Sequence, residues 1–197
     1  DVKNFGAVIF RKNFTQITAE GGLWDASAKI FSQVPDAQQR KTPKLHWKFN
    51  AGAKLTFAHL DREEDLQAWQ GTEIAYLAFD ELTHFTKHQF LYMLSRNRST
   101  CGIKPYVRAT CNPDSDSWVA DFISWWIDQD TGYPIRERSG VIRYMCVLML
   151  SIGETRRRTW QRNMASSRRN VSRLHSLQAD WKITKSSCSP THRTCQT

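Results

Sequence analysis

Apolar and polar positions alternate in blocks along the first 145 residues, and the blocks predict strands and helices in turn. Short apolar runs bounded by polar or turn residues are typical of buried strands. Three such runs are FGAVIF (5–10), IAYLAF (74–79) and the start of PYVRATCNP (105–113). Apolar residues that share one face predict helices over 14–34, with a break at Gly21-Gly22, and over 86–98. The acidic segment 61–69 and the strongly apolar segment 116–129 are predicted to be helical as well.

Two neighbouring segments show strict alternation instead. KLHWKFN (44–50) and KLTFAHL (54–60) are separated by Ala51-Gly52-Ala53, which predicts a β-hairpin. Pro35 and Pro43 bracket a segment that we predict to be a loop. Strands that alternate with helices favour a three-layer α/β sheet covered on both faces, with the antiparallel hairpin as an edge or insertion.

Length and composition agree with one main domain. The chain has 197 residues, 40% of them hydrophobic, which is enough for a single core. No apolar run approaches the roughly 18 residues of a membrane span, so we expect a soluble intracellular protein with no membrane partner. The five cysteines form no C-x-x-C pair, which favours free thiols over disulfides or structural zinc.

The net charge of +9 divides the chain into two regions. Residues 1–145 contain 18 Lys+Arg and 17 Asp+Glu, whereas residues 146–197 contain 10 and 2. The second region is also rich in Ser and Thr, and its apolar residues are scattered, so it cannot build a core. We interpret residues 146–197 as a basic tail that is either disordered or translated in a shifted reading frame.

The strongest chemical feature is a pair of acids at the end of a buried strand. Asp80 and Glu81 directly follow IAYLAF, and ligands of open α/β sheets bind at the carboxyl ends of strands. Adjacent residues of an extended chain point in different directions, so one carboxylate suits a hydrated Mg²⁺ ion and the other an attacking water. Solvated acids at a surface turn are the alternative.

A second strand ends in polar residues about thirty positions later. Thr110, Cys111 and Asn112 follow the strand predicted from residue 105, and a neighbouring parallel strand would bring them beside the acids. A hydroxyl and an amide there suit contact with a phosphate or a water. Asn112-Pro113 is also an ordinary turn signal, which is the alternative interpretation.

Five blocks of the sequence stand in a fixed order: FRKN, AWQGTEIAYLAFDELTHF, YMLSRNRS, ATCNP and DSWVADFISWWIDQDTGYPI. Together they resemble the ATPase domain of the large terminase subunit of tailed bacteriophages. The resemblance covers about residues 5–145 and implies a P-loop NTPase fold of the additional-strand, catalytic-glutamate type. It also implies ATP and Mg²⁺ as cofactors.

The resemblance implies a role for each residue of the site. Asp80 corresponds to the Walker B aspartate that organises Mg²⁺, and Glu81 to the catalytic glutamate that activates water. Thr110, Cys111 and Asn112 correspond to the coupling motif. Such motors also use an arginine as sensor or finger, for which the candidates are Arg11, Arg62, Arg96 and Arg98.

The same resemblance implies partners and a location. The expected partners are double-stranded DNA, the small terminase subunit, the procapsid portal protein and further copies of the chain in a ring. The expected location is the cytoplasm of the bacterial host, transiently at the portal.

The sequence departs from the family pattern at one motif. It has no G-x-x-x-x-G-K-[ST] segment, the loop that cradles phosphates, so residues 1–145 are expected to be an incomplete ATPase domain that starts after that loop and is inactive alone. Two alternatives stay open: a fragment of a helicase-like P-loop ATPase, and a non-enzymatic nucleic-acid-binding protein that depends on the basic tail.

Overall fold

The computed structural model describes residues 2–112 and 114–143, and six strands form one sheet at its centre. The strands are β1 (Gly6–Arg11), β2 (Gln38–Arg40), β3 (His46–Lys48), β4 (Lys54–His59), β5 (Tyr76–Phe79) and β6 (Tyr106–Ala109). Their order across the sheet is β2-β3-β4-β1-β5-β6. The predictions for residues 146–197 lie outside the described residues.

Four parallel strands form the main part of the sheet. Strand β1 pairs with β4 on one side and with β5 on the other, and β5 pairs with β6. The chain crosses over between these strands, and parallel strands collect their carboxyl ends at one edge. Arg11, His59, Phe79 and Ala109 therefore end their strands at the same edge of the sheet.

The remaining two strands form an antiparallel edge. Strands β3 and β4 pair as the predicted hairpin, with Trp47 opposite Leu55, so that prediction is confirmed. The loop predicted between Pro35 and Pro43 is wrong in part, because β2 pairs with β3 there. All three residues of β2 are exposed, so the strand has no apolar alternation by which the sequence could have shown it.

In the described part of the chain, four α-helices and four short 3₁₀ turns flank the sheet. The helices are α1 (Phe14–Thr18), α2 (Leu23–Phe31), α3 (Lys87–Leu94) and α4 (Trp118–Ile123), and the turns are Glu63–Trp69, Leu82–His84, Ser124–Trp126 and Arg136–Arg138. The break predicted at Gly21-Gly22 is confirmed, and Gly21 has a φ of 72° that favours glycine. The helix predicted over 116–129 is shorter, because a 3₁₀ turn follows Ile123.

Helix α3 begins at a reciprocal cap. The hydroxyl of Thr86 accepts from the N–H of Gln89 at 3.0 Å, and the Gln89 amide oxygen accepts from the N–H of Thr86 at 3.1 Å. The Gln89 side chain is nevertheless buried, and its NH₂ group donates to the carbonyls of Leu60 and Arg62. The cap therefore joins the start of α3 to the loop after β4.

Apolar side chains form one cluster on each face of the sheet. Alternate residues of β1 divide between them, since Val8 and Phe10 belong to the larger cluster and Ile9 packs on the smaller one. The larger cluster includes Phe79 and Phe90 and lies under α3, α4 and the turn Glu63–Trp69. The smaller cluster lies under α1 and α2 and contains Ile17, Trp24, Leu45, Trp47 and Phe57.

Helices on both faces of a mostly parallel sheet make three layers, which confirms the predicted α/β fold with its antiparallel hairpin. Among the described residues, no helix is both long and apolar enough to cross a membrane.

Candidate functional site

The sheet brings the two acids and the second polar strand end together. Beyond the last paired residues, the N–H of Asp80 donates to Phe10 O at 2.8 Å and the N–H of Thr110 to Phe79 O at 2.9 Å. The N–H of Leu82 donates to Thr110 O at 2.8 Å. These bonds continue the ladders of three strands past their ends and fix Asp80 beside Thr110.

The carboxylate of Asp80 is held from two sides. Thr110 Oγ1 donates to Oδ1 at 2.8 Å, and Arg11 Nη1 forms a hydrogen-bonded ion pair with Oδ2. The Arg11 and Asp80 side chains are 25% and 23% exposed, so solvent reaches both only in part. The Arg11 Nε is buried and has no hydrogen-bond acceptor among the described residues. Asp80 is therefore the one acceptor that holds this guanidinium in the described part of the chain.

Glu81 has a sharply turned backbone and a polar partner different from those of Asp80. Its φ of 60° and ψ of 62° lie in the left-handed region, which costs a residue with a Cβ on the order of 1–2 kcal/mol. The Asn112 amide donates to both carboxylate oxygens, at 3.2 Å to Oε1 and 3.1 Å to Oε2. The turn thus gives two adjacent carboxylates separate surroundings, as two separate roles would need.

Cys111 lies between the two polar residues that contact the acids. It is an exposed free thiol. Desolvation raises its pKa, and the negative charge of Glu81 raises that pKa further. The thiol therefore stays protonated at neutral pH and is a poor nucleophile.

The structure places one predicted arginine against the acids. Arg11 ends β1 and contacts Asp80. Arg62 lies three residues beyond β4, at the same edge of the sheet, and is exposed. Arg96 and Arg98 lie at the opposite edge: Arg96 O accepts from Ile74 N–H just before β5, and Arg98 donates to Thr72 O. Among the predicted arginines, Arg11 therefore contacts Asp80, whereas Arg96 and Arg98 lie at the opposite end of the strands from the acids.

A further polar network at the carboxyl edge escaped the sequence analysis. Glu63 Oε1 accepts from Thr86 Oγ1 at 2.6 Å, and Glu63 Oε2 accepts from His88 Nδ1 at 2.5 Å. These contacts lower the pKa of Glu63, chiefly through the Thr86 hydroxyl and then through His88. The sequence spacing of Thr86 and Gln89 signals the helix cap, but nothing in it pairs Glu63 with α3.

The donor set at the strand ends fits Mg²⁺. Carboxylate and hydroxyl oxygens are the ligands that Mg²⁺ takes, and Asp80 has lone pairs beyond the two that Arg11 and Thr110 use. The described residues include no cluster of three or more His, Cys, Asp or Glu side chains that could hold a metal by itself.

Comparison with protein families gives a match over most of the chain. Residues 3–187 match the family described as terminase large subunit, T4likevirus-type, N-terminal. Comparison with curated proteins gives no match.

Two solved structures show a weaker likeness. The large terminase of a thermophilic bacteriophage aligns with a TM-score of 0.47 and 16% identity, over 64% of this chain and 31% of that one. The N-terminal domain of the DNA packaging ATPase from bacteriophage phi29 aligns with a TM-score of 0.43 and 10% identity, over 64% and 68% of the two chains. At these TM-scores the likenesses carry no argument, and the family match stands by itself.

Proposed function

Because this chain belongs to the family of T4likevirus-type terminase large subunits, we propose that it is part of the ATP-driven motor that packages phage DNA. It spans 31% of the thermophilic bacteriophage's large terminase. The activity proposed here is therefore that of a longer protein to which these residues contribute. The observation that supports it most is the pair of acids on two joined strand ends, each carboxylate with its own polar partners.

Asp80 has the role of the metal-organising carboxylate in this proposal. It would hold Mg²⁺ through water, and Thr110 keeps the carboxylate oriented by donating to Oδ1. Bound Mg²⁺ would neutralise charge on the phosphates of ATP. Arg11 supplies the positive charge that Asp80 faces in this structure.

Glu81 has the role of the general base. Its carboxylate contacts Asn112, whereas Arg11 pairs with Asp80, so the two acids do not share a partner side chain. Asn112 orients both carboxylate oxygens. A carboxylate held in this way can accept a proton from a water at the carboxyl edge of the sheet.

Thr110 and Asn112 join the two acids to β6 and are proposed as the coupling residues. A shift of this strand end would change the partners of Asp80 and Glu81 together, because each acid has a hydrogen bond to it. Cys111 would contribute through its backbone. Double-stranded DNA, the small terminase subunit, the portal protein and a ring of like chains are the proposed partners, and the host cytoplasm is the proposed location.

The test uses a longer version of the protein that includes a G-x-x-x-x-G-K-[ST] loop. Glu81→Gln keeps the shape of the side chain but removes the base, so ATP turnover should fall by at least ~100-fold while ATP binding stays within about threefold. Glu137→Gln is the matched control, because it makes the same substitution at an exposed glutamate outside the strand ends and should leave ATP turnover unchanged. Equal losses of binding and turnover in Glu81→Gln would contradict the catalytic role.

A further inference from the structure

The antiparallel edge of the sheet is a concentrated patch of positive charge. Residues 38–54 contain five Lys and Arg and no Asp or Glu. The net charge of residues 1–145 does not show this segment, because acids elsewhere in those residues offset its positive charge. The five cations, all exposed, are Arg40, Lys41, Lys44, Lys48 and Lys54.

Strand register places three of these cations on one face. Arg40 pairs with His46, which pairs with Thr56, and Lys48 pairs with both Gln38 and Lys54. Residues that are directly paired, or two apart on a strand, point to the same side. We call the resulting surface the cationic face, defined by Gln38, Arg40, His46, Lys48, Lys54 and Thr56. The opposite side carries Trp47 and Leu55, which pack on the smaller apolar cluster.

The cations of this face have no acidic partner among residues 2–112 and 114–143. Salt bridges in that part of the chain involve Arg11, His88 and Arg98 instead. The Arg40 guanidinium donates to the neutral Gln38 side chain at 3.1 Å. Lys48 and Lys54 lie directly opposite each other, and like charges in that position destabilise a sheet. The described residues therefore provide no charge pairing for these cations, and an external anion would relieve the repulsion between Lys48 and Lys54.

We infer that the cationic face binds the sugar-phosphate backbone of double-stranded DNA. The choice of DNA as the partner rests on the proposed function, which does not itself assign a DNA-binding surface. Duplex DNA presents one negative charge per ~1.7 Å of its axis, so cations spaced by strand and residue repeats of ~5–7 Å meet phosphates in any register. Binding is then independent of base sequence.

The chemistry of the face favours duplex over single-stranded DNA. Single-strand binders stack bases on exposed aromatic rings. The aromatic residues of the hairpin, Trp47 and Phe49, instead pack with Phe31 on the other side of the sheet. Lys44 lies over the Trp69 ring at 4.1 Å, so that ring is covered as well. The face thus offers charge without a stacking platform.

The experiment measures DNA binding by the full 197-residue chain. A fluorescent 30-base-pair duplex is titrated at several KCl concentrations with wild type and with the triple variant Arg40→Gln, Lys48→Gln, Lys54→Gln. The control triple variant is Lys29→Gln, Lys87→Gln, Arg136→Gln, which removes the same charge at exposed positions elsewhere. The basic segment 146–197 is identical in all three proteins, so its contribution cancels.

Each phosphate contact contributes about 0.9 to the slope of log K against log salt. The cationic-face variant should therefore lose about 2 to 3 units of slope and bind at least ~10-fold more weakly at 100 mM KCl, while the control stays within about twofold of wild type. Circular dichroism should show equal folding of all three. Equal losses in the two variants would overturn the inference, and so would a wild type that does not bind. The inference would also be overturned if poly-glutamate displaced the labelled duplex and unlabelled duplex did not.

The outcome separates this inference from the proposed function. If the cationic-face variant binds DNA as wild type does, and Glu81→Gln binds ATP without hydrolysing it, the motor assignment stands and this inference is wrong. If the cationic-face variant loses DNA binding, and Glu81→Gln loses ATP binding and turnover equally, the DNA-binding surface stands and the proposed motor function is wrong.

Discussion

Charged side chains have partners at the carboxyl edge of this sheet, whereas at its antiparallel edge they face like charges. At the carboxyl edge near β6, Asp80 and Glu81 each have hydrogen-bonded partners, and Arg11 balances one of the two charges. At the antiparallel edge, Lys48 and Lys54 face each other without an acid. At the first edge each charged side chain has a hydrogen-bonded partner, although the buried Arg11 Nε has none among the described residues. At the second edge the described residues provide no acid to pair with the lysines. Substitutions should therefore destabilise the protein at the first edge and leave it unchanged or more stable at the second.

The largest stability effect is expected at Thr110. Thr110→Val removes the donor to Asp80 Oδ1 and the acceptor of the Glu81 N–H, at 2.8 and 3.4 Å. Hydrogen bonds to charged groups contribute about 1.5–3 kcal/mol, and exposure of Thr110 reduces this to about 1 kcal/mol. Urea denaturation should show that loss of unfolding free energy.

Thr56→Val is the matched control for Thr110→Val. Thr56 lies on the cationic face, and valine suits a strand equally well. Its unfolding free energy should stay within about 0.5 kcal/mol of wild type. If the two variants lose equal stability, the contrast between the edges is wrong.

The strand ends and their acids could be predicted because apolar runs delimit β1, β5 and β6. Other features need the order and register of the strands. Arg11 and Asp80 are 69 positions apart, and only the pairing of β1 with β5 shows that they meet. Strand order likewise places Arg96 and Arg98 at the opposite edge. The cationic face is defined by the residues of β2, β3 and β4 that lie on one side of the sheet, which only the strand register shows. The net charge of residues 1–145 does not reveal it.

The next effect has the opposite sign. Lys48→Glu replaces the like-charge pair with Lys54 by an opposite-charge pair, which should raise the unfolding free energy by about 0.2–1 kcal/mol at low salt. The gain should shrink as KCl rises, because these side chains are exposed. Urea denaturation at 20 and 500 mM KCl measures it, with Lys29→Glu as the control on α2. A destabilised Lys48→Glu protein would mean that Lys48 has a partner within the fold.

The smallest effect concerns Glu63, which belongs to the carboxyl edge but is exposed. Its pKa is lowered from 4.5 in the folded state, chiefly by the Thr86 hydroxyl and then by His88. A lowered folded pKa adds stability that is present above the unfolded value and disappears as pH falls through the folded value. Exposure limits this contribution to a few tenths of a kcal/mol. Glu63→Gln should therefore lower the unfolding free energy slightly at pH 6, and the difference from wild type should shrink as the pH falls below 4.5 and through the folded pKa. Gln accepts a hydrogen bond from Thr86 without the charge. A difference of the same size at every pH would therefore assign the effect to packing of the turn Glu63–Trp69 and remove Glu63 from the charged network of this edge.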